Sequence, residues 1–468
     1  MRDVFGKWYH FIGIGGAGMS GLAKILLASG IKVSGSDLVV SPVIHKLREN
    51  GAQVSIGHTP ENLQPGVDKV VVSSAIPPLN VELRAARERG LDVISRGELL
   101  AQVMSLFKGI AVVGAHGKTT TSSMISLVLA QAGLDPTFII GGEVNDIGGN
   151  AKLGKGEFLV AEADESDGSF LKLEPYVAVI TNIDNDHLDY YKNIEEITRA
   201  FQKFLSRLKP EGFAVLCTDN ALVGKLEPGG VEVITYGLQG TPDFKAGRVT
   251  QTGLKTEALV FQNRRKLGKL TLAVPGAHNI QNSLAAVAVG MRLGLSFSAI
   301  AEALATFRGA QRRFQMVAQC NGIRIIDDYA HHPTEIKALL QAAAGLHPRR
   351  TIVVFQPHRY TRTYFLKEEF GEAFQGSDLV IVTDIYPAGE KPLNGVNAGL
   401  VVEALKKNKQ NVVYLGQLEA VEEFLLREYQ TGDLILTVGA GNVWTVGQNF
   451  ARLLKEGPRN KSRDSQRV

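Results

Sequence analysis

Residues 110–133 read IAVVGAHGKTTTSSMISLVLAQAG. Four apolar residues, 110–113, have the length and composition of a buried strand, and the stretch after Lys118 has the composition of a helix. The glycine-rich turn between them is Gly114-Ala115-His116-Gly117-Lys118-Thr119-Thr120. A strand, a glycine turn ending in Gly-Lys-Thr and a helix together form the setting of a phosphate loop. Backbone N–H groups and the helix N-terminus hold phosphate oxygens, the lysine neutralises them, and a threonine hydroxyl serves Mg²⁺. The general pattern places another glycine five residues before Gly117, where this chain has Val112, so the match is partial. A plain turn capping a helix accounts for the same residues.

Outward from this unit the chain repeats the same grammar. Upstream, 8–14 form an apolar strand that runs into Gly13-Ile14-Gly15-Gly16-Ala17-Gly18 and a helical stretch. Asp37 closes the next strand, at the spacing of a ribose-binding acid. This G-x-G-x-x-G places a diphosphate at a helix start without saying which nucleotide carries it. Further strands are expected at 69–73, 91–94, 157–161 and 177–181. Residues 231–274 alternate apolar and polar side chains between glycine-rich turns, which predicts antiparallel strands. The runs 323–326, 351–355, 379–383 and 434–438, separated by helical stretches, predict a third parallel unit. The expected fold class is α/β in three domains. Residues 1–107 form a Rossmann-like domain, 108–308 a phosphate-loop parallel sheet with a small antiparallel sheet, and 309–456 a Rossmann-like α/β domain. Residues 457–468 form a mobile basic tail.

The 468 residues suit about three domains at ~150 residues each. Lys and Arg number 51 against 47 Asp and Glu. Most of that excess lies in the tail, where Arg459, Lys461, Arg463 and Arg467 face one acid, Asp464. The nearly neutral body argues against a nucleic-acid partner. Cys217 and Cys320 cannot build a disulfide framework and lack metal-ligand spacing. No apolar run reaches the ~18 residues of a membrane span. Met1 leads straight into charged residues without a signal pattern, which predicts a cytoplasmic protein.

Other polar groups gather at expected strand ends, where α/β ligands bind. Glu162 ends one strand, and Asp184, Asp186 and His187 end another. Glu162 with Thr119 makes an oxygen-rich pair suited to Mg²⁺. His187 is more simply a capping or hydrogen-bonded group. Glu165 and Asp167 read equally well as solvated loop charges. Asn279 can cap the helix of 280–293, and Asn282 can meet an adenine edge. Arg312-Arg313-Phe314, Asp327-Asp328-Tyr329-Ala330-His331-His332-Pro333 and the pair Arg359 and Arg362 complete the set. Arg359 and Arg362 can grip an anion, or lie on a solvated helix face.

In this order GIGGAG at 13–18, GAHGKTT at 114–120, AEADESD at 161–167, TNIDNDHLD at 181–189, HNIQN at 278–282, RRF at 312–314 and DDYAHHP at 327–333 resemble the signature segments of the Mur ligase family. The resemblance covers about residues 8–445, and this family's phosphate loop is shorter than the common form. It implies a ligase that uses ATP and Mg²⁺ to join L-alanine to the lactyl carboxylate of UDP-N-acetylmuramate through an acyl phosphate, in peptidoglycan synthesis. The alternative it leaves open is reattachment of a whole peptide to the same sugar in wall recycling. Gly13, Gly15, Gly16, Ala17, Gly18, Asp37 and Ser73 would hold the UDP-sugar. The loop Gly114–Thr120, with Asn279 and Asn282 at the adenine and Arg313 and Asp328 from the third domain, would hold ATP. Thr119, Glu162 and His187 would bind metal. Glu165, Ser166, Tyr329, His331, Arg359 and Arg362 would lie near the amino acid and muramyl group. Lys118, Glu162, His187 and His331 would carry the catalysis. Lys118, acting on phosphates alone, is expected to be dispensable for folding. One departure stands out. Sibling ligases carry a carbamoylated lysine 14 or 15 residues after the histidine matching His187, and this chain has Phe201 and Gln202 there, with Lys203 next.

Overall fold

The computed structural model describes residues 6–186 and 190–456. Its first sheet is β1 (Trp8–Ile12), β2 (Lys32–Asp37), β3 (Gln53–Ile56), β4 (Lys69–Val72) and β5 (Asp92–Ser95). The strands are all parallel in the order β3-β2-β1-β4-β5. The chain therefore changes direction across the sheet between β1 and β4. The loops after those two strands part there and leave a crevice.

The second sheet has ten strands. They are β6 (Lys108–Val113), β7 (Thr137–Ile139), β8 (Ala151–Lys152), β9 (Phe158–Glu162), β10 (Val177–Ile180), β11 (Phe213–Cys217), β12 (Glu232–Gly237), β13 (Phe244–Thr252), β14 (Lys255–Gln262) and β15 (Arg265–Leu272). Their order is β15-β14-β13-β12-β11-β10-β6-β9-β7-β8. β6 and β10 are parallel neighbours buried along nearly their whole length, which is why they read as unbroken apolar runs. The helix Lys118–Gln131 is buried almost all round, and shares one apolar core with the helix Ala277–Arg292 and strands β6, β9 and β10. Two expectations change here. β12 lies parallel to β11, so only β13–β15 of the 231–274 stretch are antiparallel. These three extend the main sheet, joined to it through just two residue pairs, Tyr236–Phe244 and Gly237–Lys245.

The third sheet is β16 (Gln315–Cys320), β17 (Ile323–Asp328), β18 (Arg350–Phe355), β19 (Leu379–Thr383), β20 (Val412–Gly416) and β21 (Asp433–Val438), ordered β16-β17-β21-β18-β19-β20. It is parallel except at one edge. β16 runs antiparallel to β17 through a two-residue turn at Asn321-Gly322, both at positive φ. An Asn-Gly turn of this hand matches the twist of a hairpin.

The three domains are not joined alike. One apolar cluster runs unbroken from Tyr9 and Leu26 in the first domain to Ile180 and Phe204 in the second. The third domain has its own cores and is held to the second near the phosphate loop by polar contacts. Phe201, at a position where siblings carry the modified lysine, is buried in the first of these clusters against Phe170. Lys203 is exposed on the same helix, Ile194–Leu205. No helix among the described residues is long and apolar enough to cross a membrane.

Candidate active site

The turn after β6 is shaped by its neighbours. A Cβ on Gly114, at φ +138°, would fall 2.1 Å from Thr181 Oγ1. One on Gly117, at φ +79°, would fall 2.6 Å from Asn282 Oδ1. Only glycine fits either place. The end of β10 braces the loop. The His116 N–H donates to Asn182 Oδ1 at 2.8 Å, and Thr181 Oγ1 and Asn182 Nδ2 donate to the His116 carbonyl at 2.7 and 3.0 Å. Gly117 caps the helix Lys118–Gln131 with no side chain over its first turn, so the helix N-terminus faces the cleft as an anion site.

Lys118 does more than the sequence predicts. Its Nζ donates to Glu165 Oε1 at 2.8 Å and to the Gly114 carbonyl at 2.6 Å. Burial pushes the lysine toward its neutral form, but Glu165, Asp164 and Glu162 more than offset that and raise its pKa. Glu165 is 2% exposed, so it is neither a solvated loop charge nor a group open to a substrate. Asp167 sits 3.7 Å from Arg96 across the first domain boundary.

Thr119 Oγ1 donates to Glu162 Oε2 at 2.9 Å, and Gly141 N–H donates to the same oxygen at 2.8 Å. A hydroxyl and a carboxylate side by side at the edge of the cleft are hard oxygen donors of the kind Mg²⁺ takes, so the chemistry of the pair fits that ion. His187 lies outside the described residues.

His116 is clasped from two domains. Its Nε2 lies 2.8 Å from Asp184 Oδ2 and its Nδ1 lies 3.2 Å from Glu335 Oε1, a residue of the third domain. Burial alone would lower its pKa, but the two carboxylates lift it to about 9 and hold it as imidazolium. Asp184 also accepts from Thr334 Oγ1 at 2.7 Å. Two residues on, Asp186 takes Arg362 at 2.9 and 3.2 Å. Arg362 is thus 8% exposed and engaged by protein, not on a solvated face. Arg359, an N-cap at φ +70°, lines the cleft beside it.

Two cavities flank the loop. The smaller, about 300 Å³, lies between the second and third domains. Asn279, Asn282, His116, Arg313 and Asp328 line it. Asn279 does not cap its helix. Gly276 holds that position, and the Asn279 amide donates back to the Pro275 carbonyl at 2.7 Å. Asp328 accepts the N–H groups of Phe314 and Ala330, both at 2.7 Å, and burial raises its pKa to about 6. The larger cavity, about 660 Å³, is bounded by all three domains. Gly16, Ala17, Gly18 and Ser73 form its first-domain wall. Ala115, Gly117, Lys118, Thr119, Glu162 and Ser166 form the second. Tyr329, His331, Arg359 and Arg362 form the third. Burial lowers the His331 pKa to about 4, so the imidazole is neutral near pH 7.

Gly13, Gly15 and Asp37 stand behind this wall and set its shape. Gly13 and Ile14 N–H donate to the Ser36 carbonyl at 2.9 and 3.0 Å, and Gly15 N–H donates to Asp37 Oδ2 at 2.8 Å. Asp37 therefore turns toward its own glycine loop. Beneath it Ser36 Oγ donates at 2.6 Å to Glu82, which is fully buried and also meets His10 and His58. Asn182, Glu335 and Glu82 are contributors that sequence reasoning passed over. Asn182 lay inside a quoted motif, and Glu335 stands two residues after one. Glu82 had no local signal at all.

A phosphate loop on a parallel sheet, fused to a glycine-loop domain and closed by a third α/β domain over one cleft, defines a multidomain α/β enzyme that acts on phosphorylated substrates. Models of the Mur ligase family match all three parts. The family's catalytic domain matches residues 8–108, the Mur ligase middle domain 112–290, and the Mur ligase glutamate ligase domain 312–441. The chain belongs to the Mur ligase family, and it is a ligase. It is 52% identical to a UDP-N-acetylmuramate–L-alanine ligase of Pelotomaculum thermopropionicum, over 96% of this chain and 97% of that one. It is 50% identical to one of Desulforamulus reducens, over 96% and 98%. Among solved structures, a UDP-N-acetylmuramate-alanine ligase of Thermotoga maritima superposes with a TM-score of 0.83 at 29% identity, covering 96% of this chain and 99% of that one.

Proposed function

We propose that this ligase joins L-alanine to the lactyl carboxylate of UDP-N-acetylmuramate, driven by ATP. The observation that carries the reading is the single cleft shared by three domains, in which a glycine loop, a phosphate loop and a cationic edge face one space. Relatives named for this reaction match the chain nearly end to end. A solved ligase named for joining a whole peptide to the same sugar, from Neisseria meningitides, is 29% identical over 66% of this chain, well below the 52% and 50% of the curated alanine ligases, so the recycling reaction is the less favoured reading.

The chemistry suits the groups present. A free carboxylate is a poor electrophile. Transfer of the γ-phosphoryl group from ATP to a carboxylate oxygen releases ADP and creates an acyl phosphate. The alanine amine then attacks the acyl carbon, phosphate leaves with the bonding electron pair, and the nitrogen loses a proton. This chain's part is positioning and charge neutralisation. Lys118 and the first-turn N–H groups of its helix hold the β- and γ-phosphates. Thr119 and Glu162 hold Mg²⁺, which when bound draws charge from the phosphate oxygens. Asn279 and Asn282 face the adenine, and Arg313 reaches the phosphates from the third domain. The glycine loop with Ser73 takes the UDP diphosphate, while Tyr329, His331 and Arg359 border the muramyl group and the amino acid. An enzyme drawing on ATP and a UDP-sugar works in the cytoplasm.

Phosphate release with ATP, UDP-N-acetylmuramate and a panel of amino acids and peptides tests the proposal. Turnover is expected with L-alanine and only in the presence of both nucleotides. Turnover with a tripeptide but not with L-alanine would transfer the chain to the recycling reaction. Titration calorimetry gives a second check, since saturable NAD(H) binding without UDP-sugar binding would overturn the reading of the first domain.

A further inference from the structure

Glu335 is the third residue of the helix Pro333–Ala344, and its two carboxylate oxygens face different ways. Oε2 turns inward and accepts the N–H groups of His331 at 3.0 Å and His332 at 3.3 Å, closing a capping box with its own helix. Oε1 turns outward, 3.2 Å from His116 Nδ1 in the phosphate loop and 3.9 Å from Arg313 Nη1. One side chain, 11% exposed, thus touches the loop that binds phosphate, the strand end that carries His331 and the arginine that lines both cavities. A helix cap needs only one of those contacts. The outward oxygen spans 219 residues of sequence to reach the loop.

We propose that Glu335 is a positioning residue that couples docking of the third domain to the phosphate loop, so that His331 and Arg313 come into register with the phosphoryl donor only when its ion pair with His116 is made. The inference rests on the ligase reading for its kinetic consequence, but the ion pair itself can be measured without turnover. His116 is faced by Asp184 from the end of β10 and by Glu335 and the His332 ring from the third domain, while the Lys118 ammonium of the same loop is held by Glu165. Removing the Glu335 charge leaves Asp184 as the remaining carboxylate partner of that imidazole among the described residues.

Two variants separate docking from capping. Glu335→Gln keeps the length of the side chain and an oxygen for the cap but loses the charge. Glu335→Asp keeps the charge and the cap but is one methylene too short to span both partners. Both are expected to fold with a melting temperature near that of the parent protein. Both should lower kcat about tenfold, an effect of the size expected when reacting groups lose their alignment. ATP binding measured by calorimetry should change less than threefold, because the loop and its helix remain. Independently, NMR titration of the His116 imidazole in the full chain should show its pKa falling by about one unit in Glu335→Gln, from a parent value near 9. A cycle with His116→Asn should be strongly non-additive, the double variant being no worse than about twofold below the poorer single one. If the imidazole pKa stays unchanged, the ion pair does not exist and the proposal fails, whatever reaction the protein catalyses. A fallen pKa with kcat unchanged in both variants would also overturn it, leaving Glu335 a helix cap. A normal pKa response in a chain that ligates nothing would instead count against the ligase reading.

Discussion

Replacing Lys118 by Met should damage the fold as well as the chemistry, which a lysine serving only phosphates would not do. Its ammonium lies 2.8 Å from Glu165, a carboxylate with 2% exposure. Removing one member of a buried pair typically costs about 3–5 kcal/mol, because the remaining charge is left in a medium that solvates it poorly. For a domain of some 200 residues this is a drop of roughly 6–20 °C in melting temperature. Calorimetry of parent and variant at pH 8 reads it directly. In Lys118→Met/Glu165→Gln most of the lost stability should return while ligation stays down about 10²-fold or more, since transition-state charge remains unneutralised. A Lys118→Met protein as stable as the parent at pH 8 would refute the claim that this pair supports the fold.

Further outcomes are expected elsewhere. Thr119→Val and Glu162→Gln should each raise the Mg²⁺ concentration needed for half-maximal rate, and together lose less than the product of the two single effects, as initial-rate titrations can show. Asn182→Ala removes two of the three side-chain hydrogen bonds that brace the His116 backbone and should raise the KM for ATP about tenfold while leaving that for the UDP-sugar within twofold. Because the His116 pKa is raised in the fold, its contribution is fully present below about 6.5 and fades as pH climbs through about 9. The stability gap between parent and His116→Gln should close over that interval in thermal melts. Glu82→Leu strands His10, His58 and Ser36 beneath the glycine loop, and should cost about 3 kcal/mol in denaturant unfolding with a weakened UDP-sugar affinity.

What the sequence made legible depended on distance along the chain. β6 and β10 announce themselves because parallel strands buried on both faces are runs of Val, Ile and Ala. β11, FAVLC, carries the same signal but was not picked out, and β12 was misjudged because its parallel partner was missing from the reading. β16 and β20 have half-exposed patterns, which edge strands share with loops. Within the site, glycines and the lysine of the loop were readable because turn geometry is local. The functional state of those residues was not. Lys118 meets Glu165 across 47 positions and His116 meets Glu335 across 219, and no periodicity encodes such meetings. Arg359 and Arg362 stand three apart on the sequence, yet only the fold assigns Arg362 to Asp186 across a domain boundary.

The attachments of the third domain near the phosphate loop converge on a very short stretch of the second. Asp184 receives Thr334 and shares His116 with Glu335, and Asp186 receives Arg362, so two carboxylates just after β10 anchor this joint. In pharmacological terms this joint is a wedge point set in the walls of the two cavities themselves. A compact cation that takes Asp186 from Arg362 would prise the joint open from within the larger cavity. Its effect would be to disable closure of the third domain, so a small ligand could silence a cleft far larger than itself.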